Sequence, residues 1–428
     1  MTEWGRRALA GLAIYGDRRI VLIALMGVAS GLPLLLTLST LSYWLRSKGV
    51  DLAAIGLFAA VGLPYSLKPL WAPIIDQLPV PVLTRLFGQR RGWALLTQLL
   101  LMGAIAALGF TDPASDPLPT AVIATLIGFL SASQDIVIDA LRIEMLKDDE
   151  QGAGAAATQG GYRIGLLLAG AGALFLSDHV DWSLVFMALA ACMPLGMLGV
   201  LLSKEPEHKI ERRERTVRAF VKHGVVEPFS EFLTRPLAIV VLIFVLLYKF
   251  GDAIGGAMAN PFYLDVGFTG TEIALVSKTT GLIATMVGVI AGGAMVRALG
   301  LMRALVVGGI LQAGTNLLFA WVAVVGPDVS ALAVAVWGDN FTGGLGSAAF
   351  IAYLSALCNK DFTATQYALL TSFMAFGRTL LSTPSGYLVE AVGWAEFFIL
   401  TAFLAVPGLI LIAILARRGA GLSSRKAI

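Results

Sequence analysis

The chain has 428 residues, of which 57% are hydrophobic and only 14% are charged, and its formal net charge is +3. Because soluble proteins contain about 25% charged residues, this composition excludes an ordinary soluble enzyme or binding domain. The small net charge gives no support to nucleic-acid binding, which depends on strongly basic surfaces.

Apolar runs of about twenty residues recur along the chain, and each is long enough to cross roughly 30 Å of hydrocarbon as a helix. Alternation of apolar and polar residues, the pattern of barrel strands, is nearly absent. We therefore predict an all-α membrane protein with twelve transmembrane helices, near residues 20–43, 53–76, 93–111, 119–146, 153–177, 182–203, 237–260, 271–295, 304–325, 329–357, 365–389 and 395–416.

The first 19 residues are basic but contain no apolar stretch that ends in a small-residue cleavage site, so we expect a retained tail. Of the 31 Lys and Arg residues, 23 lie in the tails and alternate loops, whereas the opposite loops hold only Arg46 and Lys48. By the positive-inside rule, both termini of this multi-pass protein are predicted to be cytoplasmic.

The sequence also repeats itself. GVDLAAIGL at 49–57 is similar to GFTGTEIAL at 267–275, and VDWSLVF at 180–186 is similar to VGWAEFF at 392–398. Each pair lies at equivalent points of a six-helix half. We predict six-helix bundles at 20–203 and 236–416, joined by a polar cytoplasmic linker at 204–235, with a cytoplasmic tail at 417–428. The linker is interpreted as a solvated tether, with a surface helix as the alternative.

Two six-helix bundles with both ends inside resemble the major facilitator architecture, in which substrate binds between the halves near the membrane midplane. The loop IIDQLPVPVLTRLFGQRRGW contains Asp76, Arg90 and Arg91. These residues resemble the acid and basic cluster that closes the cytoplasmic side in that superfamily. The Pro-rich insert between the acid and the arginines departs from the pattern.

Eleven ionisable residues fall within the predicted spans. At about 3 kcal/mol each, unpaired burial would cost on the order of 30 kcal/mol, so most must pair, become neutral or face water. Lys68 and Glu144 lie near the cytoplasmic side and Lys278 toward the outer side, where snorkelling or a surface salt bridge is an alternative to substrate contact. The others are Asp135, Asp139, Arg142, Arg163, Lys249, Asp252, Asp339 and Arg378.

The segment SASQDIVIDALRIEML places Asp135, Asp139 and Arg142 at spacings of four and three, which is one face of a helix. Glu144 points away from that face. An acidic stripe from the midplane toward the cytoplasm fits a proton path, so Asp135 and Asp139 are predicted to couple transport to protons. A static Asp139–Arg142 pair is the alternative. Arg142 and Glu144 join Asp76, Arg90 and Arg91 as predicted gating residues.

Substrate contacts are predicted for polar and aromatic residues in the spans. Lys249 and Asp252 lie three residues apart, and Arg163 and Arg378 supply one arginine in each half. Aromatic residues can stack on sugar rings, although packing is the more frequent role of each one. The predicted set is Gln134, Tyr162, Arg163, Tyr248, Lys249, Asp252, Lys278, Asn316, Asp339, Asn340 and Arg378, with Trp337 as a further aromatic candidate.

No cofactor or metal is predicted. The three histidines lie in loops or the linker, and Cys192 and Cys358 form neither a CxxC motif nor a disulfide framework. Phosphate-binding loops are absent, so we expect the proton gradient, rather than ATP, to supply the energy. No nucleophile–base pair is visible, which argues against an enzyme.

Several longer segments carry a more specific resemblance: GVASGLPLLLT, SASQDIVIDALRIEML, GAGAAATQGGYRIG, VLLYKFGDA, SKTTGLIATMVGVIAGG and NKDFTATQYALLTSFMAFGR. From about residue 20 to 410 the chain resembles the AmpG-type muropeptide permeases of Gram-negative bacteria. The resemblance implies a proton-driven inner-membrane importer of anhydro-muropeptides, with a role in cell-wall recycling and β-lactamase induction. Its expected partners are the muropeptide, protons and the lipid bilayer, without nucleic acid, and we expect a monomer.

Some members of that family continue with two further helices, whereas this sequence stops at LARRGAGLSSRKAI, so nothing is carried over from that extension. Two other functions stay open. One is a facilitator for another anionic solute, such as an acyl-CoA or a short peptide. The other is a membrane receptor that binds without transport, which the internal duplication and the lack of a signalling domain disfavour.

Overall fold

The computed structural model describes residues 13–50, 58–206, 226–382 and 384–418. These residues form helices and no strands. In the first half the α-helices are Arg18–Leu35, Leu41–Ser47, Leu63–Leu67, Ala72–Gln77, Leu83–Phe87, Gln89–Leu108, Pro117–Met145, Gln151–Leu167, Ala173–Ser177, Trp182–Ala190 and Met193–Leu202. The 3-10 turns Ile14–Gly16, Phe58–Gly62 and Lys68–Leu70 and the π-helical segments Leu36–Thr40 and Leu168–Gly172 connect several of them.

In the second half the α-helices are Glu227–Leu233, Ala238–Leu247, Phe250–Val266, Gly270–Ile273, Gly281–Leu299, Leu301–Val325, Val329–Leu357, Thr363–Ser382, Ser385–Val392, Trp394–Leu404 and Val406–Arg418. A π-helical segment spans Ala274–Thr280, and a 3-10 turn spans Lys360–Phe362. Most of the predicted linker, residues 207–225, lies outside the described residues, as do both predicted tails except residues 13–19 and 417–418.

Within the described part of the chain, nine helices are long and apolar enough to cross a membrane. Val329–Leu357 and Lys360–Val392 pass the same test together, although they meet at 96°. The predicted second span differs most. Part of it falls on undescribed residues 51–57. The rest is divided into four short helical segments, and the last three carry a proline in the first turn. Proline lacks a backbone N–H and clashes with the preceding turn, so one continuous helix cannot form there.

The internal repeat is visible in the helix ends. Pro117–Met145 and Val329–Leu357 both contain 29 residues, and both begin after an aspartate whose carboxylate accepts backbone N–H bonds, Asp116 and Asp328. The preceding long helices in each half begin after glycines with positive φ, Gly88 at 93° and Gly300 at 82°. L-residues with side chains rarely adopt this backbone conformation. Equivalent helices in the two halves therefore begin at the same kinds of residue, a capping aspartate or a glycine with positive φ.

Among the described residues, the apolar clusters that contain residues of both halves lie toward one end of the molecule. We call this end the basic face; it contains the loops at residues 77–88, 146–150, 203–206 and 358–362. Two apolar clusters near it mix the halves, since Ala364 and Ala368 pack with first-half residues and Ile143 packs with second-half residues. At the opposite end, one cluster is drawn from the first half alone and another from the second half alone. The halves therefore separate away from the basic face.

Glycines set the distance between helices inside each half. A Cβ added to Gly161 would lie 2.0 Å from the Ala24 carbonyl oxygen, and one added to Gly344 would lie 2.4 Å from the Thr285 carbonyl oxygen. The backbones approach more closely there than any side chain allows. A Cβ at Gly160 meets nothing within 4 Å, so the two adjacent glycines have different roles.

We predict that Gly161→Ala lowers the melting temperature of the purified protein, because two helix backbones must separate and overpacking typically costs about 1–3 kcal/mol. Gly160→Ala is the matched control. It should leave the melting temperature unchanged or slightly higher, because alanine favours helices and the site is open. Thermal unfolding in detergent measures both. Equal melting temperatures for the two variants would contradict the packing role.

The start of the first long helix is attached to the loop before helix Gln151–Leu167. Arg19 lies 2.8 Å from a carboxylate oxygen of Glu150 and 2.8 Å from one of Asp17. Although burial raises the pKa of Glu150, the hydrogen bonds from Arg19 and from the Lys147 backbone N–H hold it below its ordinary value. A depressed pKa stabilises the fold above the ordinary value of 4.5, and this stabilisation is lost as the pH falls.

Accordingly, Glu150→Gln should lower the melting temperature at neutral pH, and its difference from wild type should shrink as the pH falls below about 4.5. The control is Asp149→Asn, whose partner is Arg297 and whose side chain is 62% exposed. Surface pairs of this kind contribute little, so this variant should behave as wild type at every pH. A difference between Glu150→Gln and wild type that does not depend on pH would refute the assignment.

Candidate functional site

A fully buried arginine organises the basic face of the first half. Arg90, at the start of helix Gln89–Leu108, lies 2.8 Å from a carboxylate oxygen of Asp76 and 2.7 Å from one of Glu144. All three side chains are almost inaccessible to solvent. Since an unpaired buried arginine is very costly, the two carboxylates fix three helices against one another. The sequence analysis placed Asp76, Arg90 and Glu144 in a gate, and the structure brings these three together.

Asp76 also reaches the other half. Its carboxylate accepts hydrogen bonds from the backbone N–H groups of Ala364 at 3.3 Å and Thr365 at 2.7 Å, and from the Thr365 hydroxyl. These groups belong to the first turn of helix Thr363–Ser382. Unpaired N–H groups give a helix N-terminus a partial positive charge, so this turn attracts a carboxylate. Asp76 thus links the Arg90 cluster to the second half.

Among the described residues, the Arg91 side chain bonds to groups outside this cluster, and its gating role stays a prediction. Its guanidinium donates to the carbonyl oxygens of Val200 at 3.0 Å and Leu201 at 2.7 Å, in its own half. Its backbone N–H donates to Glu205. Arg91 therefore caps the end of helix Met193–Leu202, where unpaired carbonyl oxygens favour a cation.

A second arginine bridges the halves. Arg142 lies 3.6 Å from Asp139 on its own helix and donates to the Ser355 hydroxyl at 3.1 Å on helix Val329–Leu357. Its guanidinium lies 5.4 Å from the centre of the Tyr367 ring, also in the second half, and 3.5 Å from the Gln151 side chain. The Asp139–Arg142 pair, the alternative to a proton-coupling role for Asp139, is present, and Arg142 also contacts the other half directly.

Further contacts between the halves lie at the same face. The Tyr15 hydroxyl donates to the Ile290 carbonyl oxygen at 2.8 Å, and Arg297 lies 3.3 Å from Asp149. A Cβ on Gly293 would meet the Gly152 carbonyl oxygen at 2.8 Å, so these two helices touch through their backbones. The described conformation is therefore closed at the basic face.

In the first half, Asp135 forms an ion pair with Lys68 at 2.7 Å, and both side chains are partly accessible. For Lys68, snorkelling or a surface salt bridge is the alternative to substrate contact that the sequence predicts. The structure instead pairs it with an acid in the middle of its helix. Tyr65 lies beside Lys68, and Tyr162 lies within electrostatic range of Asp135 and Asp139. A partly accessible polar group thus lines the inner side of this bundle.

The second half contains a comparable group around Lys249. Its ammonium donates to Asp252 at 3.1 Å, to the Gln312 side-chain oxygen at 2.7 Å and to the Gly343 carbonyl oxygen at 3.4 Å. Asp339 lies within electrostatic range of Lys249 and Asp252, and Arg378 within range of Asp252. Three helices from different parts of this half therefore meet at one charged cluster.

Several predicted substrate residues make packing contacts in this conformation. Gln134 is fully buried and donates to the Ala29 carbonyl oxygen. Tyr248 donates to the Leu305 carbonyl oxygen and stacks on Phe350. Asn340 accepts from Thr285. The geometry fits packing at these positions, and their substrate contact stays a prediction.

The remaining predicted substrate residues differ in exposure. Asn316 is buried, with no partner for its amide nitrogen. Arg163 and Arg378 are exposed. Lys278 lies in the π-helical segment, and its side chain lies outside the described part of the structure. Trp337 is half exposed and stacks on Phe341. In this conformation the predicted residues therefore do not all touch one another. The charged ones gather in two groups, one around Asp135 and one around Lys249.

The sequence alone did not indicate four uncharged partners of the gate, Gln151, Ser355, Thr365 and Tyr367, or Gln312, the uncharged partner of Lys249. Ionisable residues stand out in an apolar span because burying their charge in lipid costs free energy. Uncharged polar residues do not stand out in this way. A usable signal existed in NKDFTATQYALL, where several polar residues precede a long apolar run. As for metals, no group of three His, Cys, Asp or Glu side chains in the described ranges is close enough to hold an ion.

We predict that Asp76→Asn shifts the protein toward the form that is open at the basic face. The variant weakens the bonds to Arg90 and to the first turn of helix Thr363–Ser382, and bonds to charged groups contribute about 1.5–3 kcal/mol. That corresponds to a population change of roughly 10- to 100-fold. Spin-label distances across the basic face measure it. Asp181→Asn, at an exposed loop position outside the basic face, is the control and should leave the distances unchanged. Equal distances in all three proteins would exclude Asp76 as a gate.

Comparison with known proteins agrees with this geometry. The sequence profile of the Major Facilitator Superfamily matches residues 21–380. The anhydromuropeptide permease of Escherichia coli strain K12 is 40% identical over 403 residues, which cover 94% of this chain and 80% of that protein. The crystal structure of FucP in the outward conformation has a TM-score of 0.69 at 12% identity and covers 94% of this chain and 99% of that one.

The proton:xylose symporter XylE has a TM-score of 0.67 at 13% identity and covers 94% of this chain and 95% of that one. At such identities the structural likeness establishes the fold alone. The profile and the permease relative go further, because each matches most of the chain. The protein therefore belongs to the Major Facilitator Superfamily, as a transporter of the AmpG-type permease family, and is not an enzyme.

Proposed function

We propose that the chain imports anhydro-muropeptides across the bacterial inner membrane for cell-wall recycling, driven by the proton gradient. The observation that carries this proposal is the 40% identity to the Escherichia coli anhydromuropeptide permease over 94% of the chain. The substrate contains sugar hydroxyls and peptide carboxylates. Cations such as Lys249, Arg163 and Arg378, together with amides and aromatic rings, are suitable partners for such groups.

The orientation follows from charge. The basic face carries the loops in which Lys and Arg are concentrated, and such loops stay in the cytoplasm. A protein that is closed at this face and separated at the other is accessible from the periplasm. This is the state in which an importer receives its substrate. The Asp76 and Arg142 contacts then form the cytoplasmic gate that opens after binding.

Coupling to protons is assigned to Asp135 and Asp139. Both carboxylates lie next to a cation, Lys68 or Arg142, and both side chains are partly accessible. Protonation of Asp139 removes its attraction for Arg142, which also contacts Ser355 and Tyr367 across the gate. The strength of the gate therefore depends on the protonation of a carboxylate in the first half.

Asp135→Asn should strongly reduce concentrative uptake while leaving substrate exchange detectable, because the site persists but a proton-binding group is lost. The assay is uptake of labelled GlcNAc-anhydroMurNAc peptide into proteoliposomes with and without an imposed pH gradient. Asp181→Asn, an exposed loop position without a side-chain capping bond, is the control and should transport as wild type.

Unchanged accumulation by the Asp135→Asn variant would remove Asp135 from the mechanism. The same assay tests the substrate, since excess unlabelled muropeptide should inhibit uptake whereas acyl-CoA and short peptides should not. Inhibition by those competitors alone would favour a carrier for another anionic solute.

A further inference from the structure

Among the described carboxylates deep in the spans, one lacks a cation. Asp135, Asp139, Glu144 and Asp252 each lie within 3.6 Å of a Lys or Arg nitrogen. In the described part of the chain, no Lys or Arg nitrogen lies within 4.0 Å of the Asp339 carboxylate. Asp339 is nonetheless a partly buried residue in the middle third of helix Val329–Leu357.

The neighbouring cation is already saturated. A lysine ammonium has three donors, and those of Lys249 are directed to Asp252, Gln312 and the Gly343 carbonyl oxygen. Lys249 can pair with Asp339 only if it gives up one of these bonds. Arg378, on the eleventh predicted span, lies within electrostatic range of Asp252. Lys249 is therefore paired with Asp252, and Asp339 is left without a paired cation among the described residues.

The other groups around Asp339 are neutral. Tyr263 lies within electrostatic range of it. The Thr315 side chain lies within hydrogen-bond range of the Asp339 carboxylate, and the Thr342 hydroxyl donates to the Asp339 backbone carbonyl oxygen at 3.2 Å. Lys278 lies on the π-helical segment of the eighth span, and its side chain is outside the described part of the structure. An unpaired carboxylate inside a membrane costs about 3 kcal/mol, and binding a proton removes that charge.

We propose that Asp339 is a proton-binding site in the second half, distinct from Asp135 and Asp139 and separate from substrate contact. In the described conformation Asp339 holds the proton. When the halves rearrange, Lys249 exchanges its bond to Asp252 or Gln312 for one to Asp339, and the proton leaves to water. This inference rests on the proposed proton-coupled transport and adds a second coupling site to it.

The test uses the full-length protein in proteoliposomes with labelled GlcNAc-anhydroMurNAc peptide and an imposed gradient of one pH unit. Each coupled proton contributes about a factor of ten to the accumulation ratio at this gradient, because tenfold corresponds to about 1.4 kcal/mol. Asp339→Asn should lower the steady-state ratio by about tenfold, while exchange without a gradient stays measurable. Asp181→Asn is the control and should change neither.

Two results overturn the proposal: a wild-type accumulation ratio in Asp339→Asn, or loss of exchange together with accumulation, which would indicate a substrate contact instead. A wild-type protein that does not respond to the gradient would refute the proposed function itself, before any variant is compared. If Asp339→Asn does not elute as a folded monodisperse protein, Asp339→Glu replaces it. It should retain accumulation with a shifted pH profile, and an unchanged profile would exclude Asp339.

Discussion

The structure depends on the cost of placing charge in hydrocarbon. Each ionisable side chain in a span must find a partner, and in this chain the partner usually lies on another helix. Lys68 with Asp135 and Arg90 with Asp76 and Glu144 are ion pairs and also joints between helices. The apolar residues bring the helices into the membrane, whereas the charged residues determine which helices must stay together.

These joints are of two kinds. Arg90 holds three segments of the first half together, and both of its carboxylate partners belong to that half. Asp76 and Arg142 reach across to Thr365 and Ser355, so their contacts must break when the basic face opens. Asp76 takes part in both kinds of joint, since it bonds to Arg90 in its own half and to Thr365 in the other. The rigidity of the first half and the stability of the closed state are therefore linked.

Much of the fold could be predicted from the sequence. Apolar runs and the repeated segments indicated an all-α, two-half membrane protein, and the family comparisons confirm the superfamily. The spacing of Asp135, Asp139 and Arg142 predicted their shared face, because helical geometry fixes it locally. The partners of Lys68, Arg91 and Arg142 could not be predicted, since they depend on which helices are neighbours. Depth was also unreliable for Lys68, because prolines break the second span and the count of residues no longer measures distance.

The bond between Asp76 and the second half has a consequence for how such transporters can vary. Its acceptor is a carboxylate, but two of its donors are main-chain amides at positions 364 and 365. Every residue except proline supplies a backbone N–H. Substitutions at positions 364 and 365 can therefore accumulate without loss of the bonds that hold the basic face closed. Ser355, by contrast, contributes through a hydroxyl that most replacements lack. Chimeras that exchange whole halves between relatives should therefore retain the Asp76 bonds to the second half more readily than the Arg142–Ser355 bond.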